Sequence, residues 1–139
     1  MISEKPRKQI AHYDDKTRRL KIEVPMSPMS LNTMYSFFKG RKLLTKSGRR
    51  WRDTIDPFLA PIRVRYGERV CIWIEVWPKT TRTFDLDNCA KPILDALQRN
   101  RILANDDLVY RLHMEKHDKN PGFAGGTIWV DVYPFNWIV

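Results

Sequence analysis

Residues 69–77, with the sequence RVCIWIEVW, alternate between two sets of side chains and thereby decide the fold. One set is aliphatic and consists of Val70, Ile72, Ile74 and Val76. The other set is mixed and consists of Cys71, Trp73, Glu75 and Trp77. Because successive side chains of a strand point to opposite faces, this pattern predicts a strand with apolar residues on both faces. We expect this strand near the centre of a sheet, with helices on one face and a second surface, such as a dimer interface, on the other.

Three more segments alternate between apolar and polar residues, which predicts three more strands. They are residues 20–25, 108–116 and 127–133. The expected inward side chains of the second segment are Leu108, Tyr110, Leu112 and Met114. The Gly- and Pro-containing residues 118–126 predict a loop, so the third segment is expected to be the hairpin partner of the second.

Residues 86–97 carry a helical pattern, because their apolar residues recur at spacings of three and four. Pro92 lies inside this pattern, and proline removes a backbone donor and clashes with the preceding turn. We therefore expect an irregular first turn around Asn88, with regular helix after it.

A second helix is expected from about residue 47 towards Pro57 or Pro61, with Thr45 or Ser47 as its N-cap. The order of the elements then predicts a single compact α+β domain, in which two main helices pack on a mostly antiparallel or mixed β-sheet. Residues 19–139 are assigned to this domain. The polar, aperiodic residues 1–18 are assigned to a flexible basic arm.

The chain is strongly basic, with 25 Lys and Arg against 16 Asp and Glu and a net charge of +9 in 139 residues. Residues 39–52 hold seven of the cations and no acid. Because binding to phosphates releases counterions, such a charge favours a nucleic-acid partner. No apolar run approaches the roughly 20 residues that span a bilayer, so no membrane partner is expected. The two cysteines have no CxxC spacing, which favours a reducing cytoplasm without disulfides.

Acidic residues nevertheless collect at two short sites, DLDN at 85–88 and NDDL at 105–108. The first explanation is capping of a helix or turn, by Asp87 or Asn88 at one site and by Asn105 or Asp106 at the other. The second is a salt bridge to Lys91, which lies four residues after Asp87. This explanation can also hold for Asp95, which lies four residues after Lys91 and is expected to be a solvated surface residue.

The third explanation is a site for a divalent metal. If residues 85–87 are extended, Asp85 and Asp87 point to the same side. A helix that returns along the sheet would bring the acidic pair of the second site near them. Mg²⁺ prefers oxygen ligands, and a cation offsets the cost of gathering like charges.

The motif DLDNCAK at 85–91, with the later NDDL, resembles the D-x-D-N-x-x-K and D-D signature of the RusA family of Holliday-junction resolvases. The resemblance covers about residues 20–133. Within it, residues 22–53 are similar to the first strand, the Pro- and Asn-containing loop, the basic stretch and the first helix of that family. Pro92, directly after the lysine, departs from the family pattern.

The resemblance implies a homodimeric endonuclease of recombination and repair, which nicks four-way DNA junctions symmetrically by hydrolysis with metal-activated water. The implied cofactor is Mg²⁺, with Mn²⁺ as a substitute and no organic cofactor. The implied catalytic residues are Asp85, Asp87, Asp107 and Lys91, of which the three aspartates bind the metal. Asn88 and Asp106 are implied as supporting residues. The implied location is the cytoplasm of a bacterial or phage-infected cell.

Contacts to the DNA backbone are expected from the basic segment. The candidates are Lys39, Arg41, Lys42, Lys46, Arg49 and Arg50, with Arg82 beside the acidic motif. Tyr35, Phe37 and Phe38 are expected to anchor this segment to the core, with base stacking as the alternative. Two other functions stay open: a non-catalytic protein that binds junctions or other DNA, and the same nuclease chemistry on flaps or forks.

Overall fold

The structure, a computed structural model, describes residues 10–79, 85–118 and 125–136. The helices and strands are β1 (Ala11–Asp14), β2 (Arg19–Val24), α1 (Leu31–Met34), β3 (Tyr35–Phe38), β4 (Arg41–Leu44), α2 (Lys46–Leu59), β5 (Val70–Trp77), α3 (Ala90–Arg99), β6 (Val109–Lys116) and β7 (Thr127–Pro134). Two 3₁₀ turns, Leu86–Cys89 and Asp106–Leu108, directly precede α3 and β6. The strands form a mixed five-stranded sheet in the order β1-β2-β7-β5-β6 and a separate β3-β4 sheet. The predicted α+β fold with two main helices is confirmed.

Strand β5 has a neighbour on each side, as predicted for a strand with two apolar faces. Its aliphatic face is at most 1% exposed. This face shares one hydrophobic core with residues of the two main helices, namely Trp51, Ile55 and Leu59 of α2 and Ile93, Ala96 and Leu97 of α3. On the opposite face Trp73 is 36% exposed, and Trp129 of β7 is 43% exposed. The helices therefore cover the aliphatic face, and the tryptophan face is open to solvent.

The predicted hairpin between β6 and β7 is wrong. β6 pairs with β5 in parallel, and β7 lies between β2 and β5, antiparallel to both. A parallel pair needs a crossover connection, and α3 provides it between β5 and β6. Because β6 is consequently an edge strand, Tyr110 and Leu112 are not buried as expected but are 50% and 42% exposed. Met114 packs against the core as expected.

The assignment of residues 1–18 to a flexible arm is wrong for residues 11–14. These residues form β1, which pairs antiparallel with β2 at the edge of the sheet. The backbone N–H of Glu23 also donates to the carbonyl of Ile10 at 2.8 Å. A short edge strand with polar residues carries too little hydrophobic pattern to predict a partner, although such edges are common. Residues 1–9 lie outside the described part.

The basic connection contains a β-hairpin that sequence analysis missed. β3 and β4 are joined by Lys39 and Gly40, with φ angles of 50° and 74°. Positive φ at both central residues is the geometry of a two-residue hairpin turn, and the Lys-Gly pair was the available signal. The hydroxyl of Thr45 donates to the carbonyls of Thr33 (2.7 Å) and Met34 (3.0 Å), which holds the two ends of the hairpin together.

Helix α2 follows this hairpin and begins as predicted. Thr45 is its N-cap and accepts a hydrogen bond from the N–H of Gly48 at 2.9 Å. The helix continues past Pro57 to Leu59. Both cysteines are buried and free, as expected. Among the helices in the described segments, none is long and apolar enough to cross a membrane.

Candidate active site

The acidic motif at 85–88 forms an irregular turn, as Pro92 led us to expect. Asp85 is extended, Leu86–Cys89 is a 3₁₀ turn, and regular helix begins at Ala90. Pro92 is the third residue of α3, where a backbone N–H has no intrahelical acceptor, so the proline removes no helical hydrogen bond. The departure from the family pattern therefore leaves the helix that carries Lys91 intact.

Cys89 closes this turn from inside the core. Its thiol is fully buried and donates to the carbonyl of Leu86 at 3.0 Å. Burial raises the pKa of the Cys89 thiol to about 11. The side chain therefore stays neutral and acts as a packing residue, with no role as a nucleophile or metal ligand.

One face of α3 connects the two acidic sites. Lys91, Asp95 and Gln98 follow one another at helical spacing on this face. The Lys91 ammonium donates to Asp106 Oδ2 at 2.5 Å and lies 3.0 Å from Asp95 Oδ1. Gln98 Oε1 accepts a hydrogen bond from the backbone N–H of Asp106 at 2.9 Å. The backbone of Lys91 thus lies next to the first acidic site, and its side chain contacts the second.

These contacts raise the pKa of Lys91, mainly through the hydrogen bonds to Asp106 and Asp95. The side chain is therefore a fixed cation at neutral pH. The salt-bridge explanation is wrong for Asp87 and right for Asp95, and Asp106 is a further partner that it did not name. Asp95, which was expected to be a solvated surface residue, is 30% exposed and paired.

The capping explanation is wrong at the first site and right at the second. Asp85 and Cys89 occupy the N-cap positions of the turn and of α3, and neither side chain makes a capping hydrogen bond. At the second site, Asn105 caps the Asp106–Leu108 turn by accepting from the N–H of Asp107 at 3.2 Å. Capping therefore does not account for the two aspartates at 85 and 87.

Three carboxylates are left without a structural role. Asp85, Asp87 and Asp107 are exposed, and among the described residues none of their side chains makes a hydrogen bond or an ion pair. Their oxygens are the donors that Mg²⁺ prefers, so the chemistry of the set fits such an ion.

The same three carboxylates do not converge in the structure. Within the described ranges, a different group is the one whose possible ligand atoms all lie within 4.8 Å, namely Glu75, Glu115 and His117. This group lies on β5 and at the end of β6, where His117 Nε2 is 2.7 Å from Glu75 Oε1 and the imidazole stacks on Trp77. Its donors already bond one another, and it contains none of the predicted ligands.

A pocket of about 310 Å³ connects the hairpin to the polar face of α3. It is lined by Tyr35, Arg52, Asp95, Gln98 and Arg99. Arg99 is held in place by Asp56 of α2, to which its Nε donates at 3.0 Å and its Nη2 at 2.6 Å. Sequence analysis missed Arg52 and Gln98 at this site. The only available signals were the basic run for Arg52 and the helical spacing for Gln98.

The basic residues predicted to contact DNA lie along the hairpin and the start of α2. Lys39 is in the β3–β4 turn, and the others lie on β4 (Arg41 and Lys42) and in the first half of α2 (Lys46, Arg49 and Arg50). All six side chains are exposed. Arg82 lies outside the described residues. The predicted supporting residue Asn88 lies in the Leu86–Cys89 turn and is partly buried.

The family model described as the endodeoxyribonuclease RusA matches residues 25–124. This range contains the basic hairpin, α2, both acidic sites and Lys91, and spans more than two thirds of the chain. No curated protein matches the sequence. A family of DNA-cleaving enzymes agrees with exposed basic residues on the hairpin and α2 and with exposed carboxylates at both acidic sites. The chain therefore belongs to the RusA family of endodeoxyribonucleases.

Proposed function

We propose that the protein is a metal-dependent, structure-selective endodeoxyribonuclease that resolves four-way DNA junctions by paired symmetric nicks. The observation that carries this proposal is that Asp85, Asp87 and Asp107 are exposed, and that their side chains make no ion pair with any residue that the structure describes, while Lys91 between the two acidic sites is a fixed cation. The family membership supports it, because the matched family is one of endodeoxyribonucleases.

The three carboxylates would hold Mg²⁺, or Mn²⁺ in its place. Such an ion lowers the pKa of a water molecule and offsets charge on the attacking and leaving oxygens. Asp106 is the alternative to Asp107 as the third metal ligand, because Asp106 is the residue of this pair that contacts Lys91. Calorimetric titration of Mn²⁺ into Asp106→Asn and Asp107→Asn separates them. We expect the Asp107 variant to lose affinity, and a loss confined to the Asp106 variant would move the ligand to that position.

Lys91 supplies the positive charge that the reaction needs at the phosphate. Hydrolysis forms a bond from a water oxygen to phosphorus and breaks the bond from phosphorus to a sugar oxygen. One end leaves as a phosphate monoester and the other as a hydroxyl, which takes up a proton. The Lys91 ammonium, held by Asp95 and Asp106, would neutralise the phosphate as its oxygens gain charge.

The exposed cations of the hairpin and of α2 would bind the DNA backbone. Such contacts position the DNA without reading its sequence. Each phosphate contact that is lost reduces the slope of log K against log salt by about 0.9. The double variant Arg41→Glu, Lys42→Glu should therefore lower the slope by about two. Arg63→Glu changes an exposed arginine outside this segment and is the matched control, and an equal effect there would contradict the assignment.

Paired nicks require two active sites, so we propose a homodimer. A second copy related by twofold symmetry would place one site on each of two opposing strands. The open face of the sheet, with Trp73 and Trp129, is apolar enough to be its interface. Light scattering of the wild type and of Trp73→Arg tests this, and a wild-type monomer bound to junction DNA would contradict it.

The deciding experiment compares the wild type with Asp87→Asn on labelled four-way junctions, linear duplex and flap DNA, in Mg²⁺ or EDTA. We expect paired nicks in the junction only, which require Mg²⁺ and are absent in the variant. Cleavage of flaps in preference to junctions would favour the same chemistry on other branched DNA. Tight junction binding without cleavage in either Mg²⁺ or Mn²⁺ would identify a non-catalytic binding protein.

A further inference from the structure

The β3–β4 hairpin exposes two adjacent phenylalanines. Phe37 is 76% exposed and Phe38 is 63% exposed, the largest values among the large hydrophobic side chains that the structure describes. The expectation that they anchor the connection to the core is wrong, because Tyr35 is the member of the three that packs against it. Exposed aromatic rings forgo the stabilisation of about 25 cal/mol per Å² that burial gives. Two of them side by side indicate a binding surface.

The hairpin holds the rings on opposite sides, each across from a cation. Phe37 is opposite Lys42, and Phe38 is opposite Arg41. Because neighbouring residues of a strand point to opposite faces, one ring projects from each side of the hairpin. The tight turn at Lys39 and Gly40 fixes this register.

The charge around the rings indicates what they bind. Residues 35–46 contain four cations and no acid. The Lys39 ammonium lies 5.4 Å from the centroid of the Phe38 ring. A nucleotide offers an aromatic base to the ring and an anionic phosphate to the cation beside it. An apolar protein surface would match the rings but not the positive charge of the four cations.

The hairpin is attached beside the acidic site. α1, which leads into it, contacts both the Leu86–Cys89 turn and α3. Tyr35 at its base lines the pocket with Asp95 and Gln98. Phe37 lies three residues beyond Met34, or about 10 Å at 3.3 Å per residue. The rings therefore lie close to α1 and to the elements that α1 contacts.

We propose that Phe37 and Phe38 stack on bases exposed at the branch point of the DNA substrate, close to the cleaved phosphate. This inference rests on the proposed function and adds the element that distinguishes a junction from a duplex. In a duplex every base is already stacked on its neighbours, so exposing one costs a few kcal/mol. At a branch point stacking is interrupted, and the rings can replace the missing neighbour.

The test uses junctions with 2-aminopurine at single positions, either within three steps of the branch point or in the middle of an arm. This base is quenched when it stacks on other bases and brightens when it leaves them. The full-length protein carries Asp87→Asn so that the DNA stays intact. Binding should change the fluorescence of the probe near the branch point, where a ring becomes its new stacking partner, and leave the probe in the arm unchanged. Phe37→Ala with Phe38→Ala should abolish the signal and weaken junction binding about tenfold or more, with duplex binding nearly unchanged.

Two further variants separate stacking from a general effect on the hairpin. Leu43→Ala removes an apolar side chain that is 44% exposed on the same hairpin and has no ring, and it should behave like the parent. Replacing both phenylalanines by Trp should restore the signal and the affinity. Retention of both signal and junction preference in the double alanine variant would overturn the inference and leave the proposed function standing. Equal binding of junction and duplex by the parent would overturn both.

Discussion

Replacing Lys91 by Gln should impair cleavage far more than it impairs folding. The ammonium makes two ion pairs, and the side chains involved are 47% exposed for Lys91 and 30% exposed for each aspartate. Pairs with this much solvent contact contribute about 0.2–1 kcal/mol each, so the variant should lose about 1 kcal/mol of stability. For a domain of this size, such a loss lowers Tm by about 4 °C. Removing a preorganised group that stabilises developing charge lowers the rate about 100-fold to 1000-fold.

The assay measures single-turnover cleavage of a labelled four-way junction in Mg²⁺ at 25 °C, together with thermal unfolding of the same samples. Asp95→Asn is the matched control, because it breaks one of the two ion pairs and leaves the cation in place. It should lower Tm by a similar or smaller amount and reduce the cleavage rate by less than about tenfold. Lys91→Arg keeps the charge and should retain part of the activity.

The pH dependence follows from the raised pKa of Lys91. A raised value in the folded state means that the stabilisation is complete below the ordinary value of 10.5 and is lost as pH rises through the folded pKa. Lys91 should therefore contribute no change in stability or rate between about pH 6 and 9.

Two results with the Lys91→Gln protein would refute this reasoning. One is cleavage at the wild-type rate, and the other is a loss of activity equal to the fraction of the protein that is unfolded.

Three further predictions concern the scaffold. Tyr66 is 1% exposed, and its hydroxyl donates to the backbone carbonyl of Arg18 at 2.7 Å. Tyr66→Phe should therefore lower the free energy of unfolding, measured in urea, by about 1–3 kcal/mol. An unchanged urea midpoint would contradict this. A Cβ on Gly48 would lie 2.5 Å from the carbonyl oxygen of Met34. Gly48→Ala should therefore lower the free energy of unfolding by about 1–3 kcal/mol through strain, and Tm with it, although alanine has the higher helix propensity. A raised Tm would contradict this and show that α1 moves to make room. The hydrogen bond from His113 lowers the pKa of Glu115 below its ordinary value of 4.5. The stabilisation that Glu115 contributes is therefore present above pH 4.5 and is lost as the pH falls through the folded pKa. Glu115→Gln should reduce the change of the urea midpoint between about pH 6 and pH 3, and an unaltered pH profile would contradict this.

The sequence by itself determined the local elements of this protein. The alternation in 69–77 predicted β5, and the spacing in 86–97 predicted α3 together with its irregular first turn. Thr45 was among the expected caps of α2. These features depend on interactions between residues a few positions apart, so a short window of sequence contains their cause. The acidic motif and its lysine were recognisable for the same reason.

Only the tertiary structure decided which of these elements meet. The partner of β6 could not be predicted, because parallel pairing with β5 and antiparallel pairing with β7 suit the same alternating pattern. Nor could the partners of Lys91 be predicted. Asp87 and Asp95 are equally far from Lys91 in the sequence, and Asp106 becomes a neighbour only after the chain folds back along α3. The exposure of Phe37 and Phe38 likewise depends on how far the hairpin extends from the core. Such contacts join residues distant in sequence, and their energies depend on the packing of the whole domain.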